Sequence, residues 1–108
     1  MQNVIKRYRV IVQDLALDML SEHAEFLAGF SMTASDRLLA EFQKQVDSLE
    51  TMPERCSWVN DPNVERQKYR KLLFERHYLL IFRVATEMDK VYIDAVVDCH
   101  QDYGWLIP

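Results

Sequence analysis

The chain has 108 residues but only two glycines, Gly29 and Gly104. A phosphate-cradling loop or a dinucleotide fingerprint needs several glycines within a few residues, so neither can be built. Cysteine is as scarce. Cys56 and Cys99 stand alone, without CxxC spacing and without the density of a disulfide-stapled secreted scaffold. Long apolar runs are missing too: the strongest, Tyr78 to Phe82, falls far short of the roughly 18 residues of a membrane span. The opening residues carry Lys6, Arg7 and Arg9 with no long apolar segment behind them, which is not a signal-peptide pattern. With 49% hydrophobic and 28% charged residues, the chain can bury a core without disulfides or a structural metal. The expectation is one domain over 1–108: soluble, reduced and cytoplasmic, with no cofactor, no metal and no membrane contact.

What is present is charge, unevenly spread. The net value of −4 conceals an acidic stretch at 14–65, where eleven carboxylates face three basic side chains. It also conceals a basic stretch at 66–83, where Arg66, Lys68, Arg70, Lys71, Arg76 and Arg83 stand against Glu75 alone. Such a segment can face an anionic partner, or it can complement the acidic helices within the fold.

The hydrophobic period changes twice along the chain. Tyr8, Val10 and Val12 alternate with Arg9 and Ile11, which predicts a strand over 6–13. Asp14 then offers a helix N-cap, and Leu15, Ala16, Met19, Leu20, His23, Phe26, Leu27 and Phe30 follow at helical spacing. A break at Gly29–Ser31 precedes a second helix, with Thr33 and Asp36 as a carboxylate form of the capping box. Its stripe is Ala34, Leu38, Phe42, Val46 and Leu49, and Pro53 stops it. The predicted spans are 14–30 and 33–51, an antiparallel hairpin.

A loop over 53–65 follows, then three β-rich runs at 66–74, 77–86 and 90–98. The gaps at Glu75-Arg76 and at Glu87-Met88-Asp89 are short enough for hairpins. The middle run is apolar on both parities through Phe82 and should be the most buried strand. The order β-α-α-β-β-β predicts an α+β domain, a helical hairpin on one face of a small, mainly antiparallel sheet.

Tyr69-Arg70-Lys71-Leu72-Leu73, Tyr78-Leu79-Leu80-Ile81-Phe82-Arg83-Val84, Val91-Tyr92-Ile93-Asp94-Ala95-Val96-Val97 and a Gln101-Asp102 tail occur in that order. The series resembles the RelE/ParE superfamily of bacterial type II toxins, and the match extends over nearly the whole chain. The resemblance implies a toxin with a cognate antitoxin protein as partner. It also implies one of two targets, DNA gyrase or ribosome-bound mRNA, or else a non-toxic relative that only binds its antitoxin, because several family positions are substituted.

The RelE-like mechanism cleaves message by attack of a 2′-hydroxyl on the adjacent phosphate. That chemistry needs cations for the developing charge and groups that move protons. On this resemblance Arg70 and Arg83 would hold phosphate, His100 would transfer a proton, and Tyr103 would stack on a base. Two positions where the family often has cations are here Leu72 and Leu79. ParE-like members need no such constellation, have a longer helical hairpin and end in a Gln-Asp-Tyr and apolar tail, as Gln101-Asp102-Tyr103 and Leu106-Ile107 do. Asp98 and His100 replace a usual histidine and arginine in that ending. The resemblance therefore leans to the gyrase-directed branch. Arg66, Lys68, Lys71, Arg76, Trp105 and Leu106 are the candidate contacts for target or antitoxin: the basic residues attract an acidic segment and the tail buries apolar area.

Other residues carry competing readings. Asp98, His100 and Asp102 alternate as metal ligands would, or as solvated residues at a fraying strand end. His23, on an apolar stripe, reads as a satisfied half-buried side chain. Cys56 has no nearby histidine to activate it. His77 is a turn residue beside Arg76 that could also touch phosphate, and Trp58 and Trp105 are core closures or partner anchors.

Overall fold

The computed structural model describes residues 5–99. Its elements are β1 (Arg9–Val12), α1 (Asp14–Ala28), α2 (Met32–Ser48), β2 (Arg70–Phe74), β3 (Tyr78–Ala85) and β4 (Lys90–Asp98). The four strands form one sheet in the order β1-β4-β3-β2. The β2–β3 and β3–β4 pairs are antiparallel, whereas β1 runs parallel to β4, so the sheet is mixed and mostly antiparallel. The expected α+β order is therefore present. No helix among the described residues is long and apolar enough to cross a membrane.

Helix α2 presents the stripe its spacing predicts. Leu38, Phe42 and Val46 are buried, and Leu49 just beyond the helix is fully buried. Its cap lies two residues earlier than expected: the Ser31 hydroxyl, not Thr33, accepts the Ala34 N–H at 3.1 Å. Helix α1 departs further from expectation. Gln13 occupies its N-cap without a side-chain bond, and Asp14 sits inside the first turn, where the helix dipole favours an anion. Its buried residues are Ala16, Leu20 and Ala24, while Leu15, Phe26 and Phe30 lie exposed. The small side chains bring the helices close, and the buried Ser35 hydroxyl donates to the Ala24 carbonyl at 2.8 Å. A buried polar group at the crossing is thereby satisfied.

The helices cover one face of the sheet, where Leu80, Phe82, Val91, Ile93 and Val96 join their core. On the other face Val59 and Tyr69 pack on Leu79, Ile81, Ala95 and Val97. Strand β3 is thus buried on both faces from Tyr78 to Phe82, which is why its apolar residues fall on both parities. The cover on the second face comes from the expected loop, at Val59, and from the start of the run expected as β2, at Tyr69. Here β2 begins only at Arg70, because 57–59 runs along its outer edge. Val59 N–H donates to the Tyr69 carbonyl at 2.8 Å and Lys71 N–H to the Ser57 carbonyl at 3.0 Å. The chain reverses between them with Gln67 in the left-handed region at φ 55°. Between Ile81 and Phe82 the β3–β4 register slips, leaving Asp94 as the extra residue of a bulge.

Three buried or bonded acids make the fold sensitive to alkali. Burial, reinforced by Asp98, raises the Tyr78 hydroxyl. The hydrogen bond to Glu54, followed by burial, raises Tyr8, and burial raises the Cys56 thiol. Each group holds its proton more tightly folded than unfolded, so its stabilisation is complete below the unfolded pKa and is lost as pH rises through the folded one. Urea midpoints should therefore fall above about pH 9. Tyr78→Phe should make the decline shallower; a midpoint that stays level between pH 8 and 11 would contradict this.

Candidate functional site

The fold disperses the basic segment 66–83. Arg66 and Lys68 lie exposed on the covering loop, and Lys68 pairs with Glu65 at 3.6 Å. Lys71 and Arg83 lie on the sheet face away from the helices, opposite Ile81 and Tyr92 respectively. Arg70 pairs with Phe82 and so takes the other parity. Arg76 projects from the β2–β3 turn. The structure therefore does not bring Arg70 and Arg83 together on one face.

Both of these arginines are committed to internal partners. Arg70 Nη1 donates to the Cys56 carbonyl at 2.6 Å and to the Glu54 carbonyl at 3.1 Å. Its guanidinium lies 3.7 Å over the Trp58 ring, and among the described residues its buried Nε has no hydrogen-bond partner. Arg70 thus clasps the 54–58 segment to the sheet, and Trp58 is the half-open platform of that clasp. Arg83 makes a two-pronged contact with Asp94, Nε to Oδ2 at 2.6 Å and Nη2 to Oδ1 at 3.0 Å. The bulge supplies Asp94 to this arginine, and the hydrogen bond holds the guanidinium above even its ordinary basicity.

Leu72 and Leu79 do not leave room for missing cations. Leu72 packs against the helix-side core and Leu79 is buried beneath Val59 and Tyr69. His23 is structural: its Nε2 donates to the Val96 carbonyl at 2.9 Å and its ring meets Tyr78 edge-on at 5.1 Å. Cys56 is a buried thiol raised by burial, the opposite of an activated nucleophile. His77 is exposed beside Tyr78. Among the described residues no three His, Cys, Asp or Glu side chains gather as a metal site would require. His100, Asp102, Tyr103, Trp105 and Leu106 lie outside the described residues.

One concavity joins the two hairpins. Leu27, Ala34, Arg37 and Leu38 from the helices meet Glu75, Arg76, His77 and Tyr78 from the β2–β3 turn around about 410 Å³. Arg37 and Arg76 are exposed and have no ion pair or hydrogen bond among the described residues. Arg37 escaped the reading of the sequence because it is one of three scattered cations in an acidic stretch, and only the fold sets it in the same cleft as Arg76. At the same helix connection Phe26, Phe30 and Met32 are 67%, 78% and 63% exposed, with the two phenyl rings in edge contact at 5.1 Å.

A family model described as "ParE toxin of type II toxin-antitoxin system, parDE" matches residues 5–103. A solved structure described as the chromosomal ParDE TA system from P. aeruginosa is similar, with a TM-score of 0.69 and 15% sequence identity. The similarity covers 86% of this chain and 97% of that one, and at such identity it bears on the fold alone. No curated protein matches the chain.

Proposed function

Starting from a chain that belongs to the ParE toxin family of type II toxin–antitoxin systems, we propose that it acts by inhibiting DNA gyrase, not by cutting message. The family implies a ParD antitoxin as cognate partner. One observation carries the choice of target: the two arginines that RNA cleavage would need are both spent inside the fold. Arg83 is neutralised by Asp94 and Arg70 is held by two loop carbonyls. A phosphoryl transition state needs cations aimed at it and free to meet it, each worth on the order of a hundredfold in rate. Leu72 and Leu79, one on each face of the sheet, are apolar and add no cation to it.

Inhibition of a protein target requires a docking surface and no such constellation. Arg66, Lys68, Lys71 and Arg76, with Trp105 and Leu106 of the tail, are the contacts we assign to target and antitoxin. The experiment is direct. Purified protein should block gyrase supercoiling and leave message intact in a translating extract. Message cleavage at a rate normal for ribosome-dependent nucleases, or supercoiling that continues at saturating protein, would overturn the reading.

A further inference from the structure

We propose that the open half of the sheet, on the face away from the helices, docks on the phosphate backbone of the duplex DNA that gyrase holds. The inference rests on the gyrase reading and gives it a surface centred on Arg9, Lys90 and Tyr92. Strand alternation places these side chains. Tyr8 and Val10 join the helix-side core, as Val91 and Ile93 do, so Arg9 of β1 and Lys90 and Tyr92 of β4 project the other way. Arg9 is exposed, and Lys90 and Tyr92 are half-buried. The cover laid by Val59 and Tyr69 packs on Leu79, Ile81, Ala95 and Val97, at the opposite end of the face. Arg7, exposed two residues before Arg9, extends the cationic row along the edge strand.

Charge defines the occupant. Arg9 and Lys90 are register partners across the parallel β1–β4 pair, and neither has an ion pair or side-chain hydrogen bond among the described residues. Like charges side by side in a sheet repel, a cost offset when an anion lies over both. Two nearby carboxylates are already engaged: Asp94 is held by Arg83, and Asp89 by Lys6 at 3.0 Å. The helical layer has the opposite sign. Helices α1 and α2 carry seven carboxylates against Arg37 and Lys44, so a polyanion is repelled from that side and drawn to the bare strands. Register fixes the array, with neighbouring strands about 4.8 Å apart and alternate residues of one strand about 6.6 Å apart. A rigid grid of cations suits a backbone whose charges repeat about every 3.4 Å of rise along each strand. Ala85, the β3 partner of Lys90, adds little bulk beside it. Tyr92 stands next in the row, its ring under the Arg83 guanidinium at 5.1 Å, and offers a hydroxyl to a phosphate oxygen.

The test measures affinity of the full-length chain for a gyrase–duplex complex by fluorescence anisotropy over a range of salt. Arg9→Gln with Lys90→Gln should weaken binding about tenfold or more at low salt. The same pair should make the salt dependence shallower by a slope of about two, roughly one for each lost phosphate contact. Arg9→Glu guards against misfolding as an explanation. It sets a carboxylate beside Lys90, so its melting temperature should equal or exceed wild type while inhibition of supercoiling falls about tenfold. A photo-crosslinking Tyr92→p-benzoylphenylalanine variant should label the DNA. Inhibition by Arg9→Glu within about threefold of wild type, or an unchanged salt slope in the double variant, would overturn the proposal. So would crosslinks confined to the gyrase subunits, since an acidic segment of the enzyme would then occupy the face. Wild-type protein that leaves supercoiling intact is a separate failure: it removes the target reading, and this surface assignment with it.

Discussion

Phe42→Ala is expected to destabilise the protein by roughly 3–5 kcal/mol, and Phe26→Ala by less than about 0.5 kcal/mol. Both phenylalanines occupy apolar positions of predicted helical stripes, so the contrast tests the packing and not the periodicity. Phe42 is 5% exposed, its ring 6.3 Å from that of Phe74, in one cluster with Leu38 and Leu80. Truncation there removes buried area and leaves a cavity that the surrounding sheet cannot fill. Phe26 is 67% exposed and its ring contact is with Phe30, itself on the surface. Removing it takes away one edge-to-face contact and little burial. Urea unfolding of the two variants decides the matter. A loss under 1 kcal/mol at Phe42, or above about 2 kcal/mol at Phe26, would mean that the core is wrongly drawn.

The difference between these two residues also explains what could be read before folding. In α2 the large apolar residues, Met32 and Leu39 apart, recur on one side, so Leu38, Phe42 and Val46 had a single face to bury. In α1, Leu15, Ala16, Leu17, Met19 and Leu20 crowd one turn and a half, and apolar spacing alone does not choose among the faces. Close packing on β4 and α2 chooses the side with Ala16 and Ala24, because small residues let the backbones approach, and the large ones turn outward. Strand β3 was legible from its unbroken apolar run. The parallel seating of β1 on β4 was not, since no local signal records which edge a first strand joins.

Among the candidate site residues, the type of Arg70 and Arg83 was legible and their partners were not. The Asp94 that neutralises Arg83 reaches it through a bulge, and the carbonyls that hold Arg70 belong to an irregular loop 14 and 16 residues earlier. A charge count over 66–83 treats every cation as available. The fold withdraws two of them and lends Arg37 from another element.

Arg83→Met should cost about 3 kcal/mol, and Asp94→Ala only about 1 kcal/mol. The asymmetry follows from exposure. The Asp94 side chain is 11% exposed, so without Arg83 its carboxylate is left in a poorly hydrated place. The Arg83 side chain is 36% exposed and lies 5.1 Å over the Tyr92 ring, so without Asp94 its guanidinium turns to water and keeps its aromatic contact. Replacing both, Arg83→Met with Asp94→Leu, removes the stranded charge and should return stability to within about 1 kcal/mol of the parent. This double variant also separates the two mechanisms, because it folds without the arginine. If Arg83 serves only as an internal strut, the double variant inhibits supercoiling as the parent does, while Arg83→Met alone loses activity only to the extent that it unfolds. A double variant with parental stability and no inhibition would place Arg83 in contact with the target, and the ion pair with Asp94 would then be the state from which the target releases it.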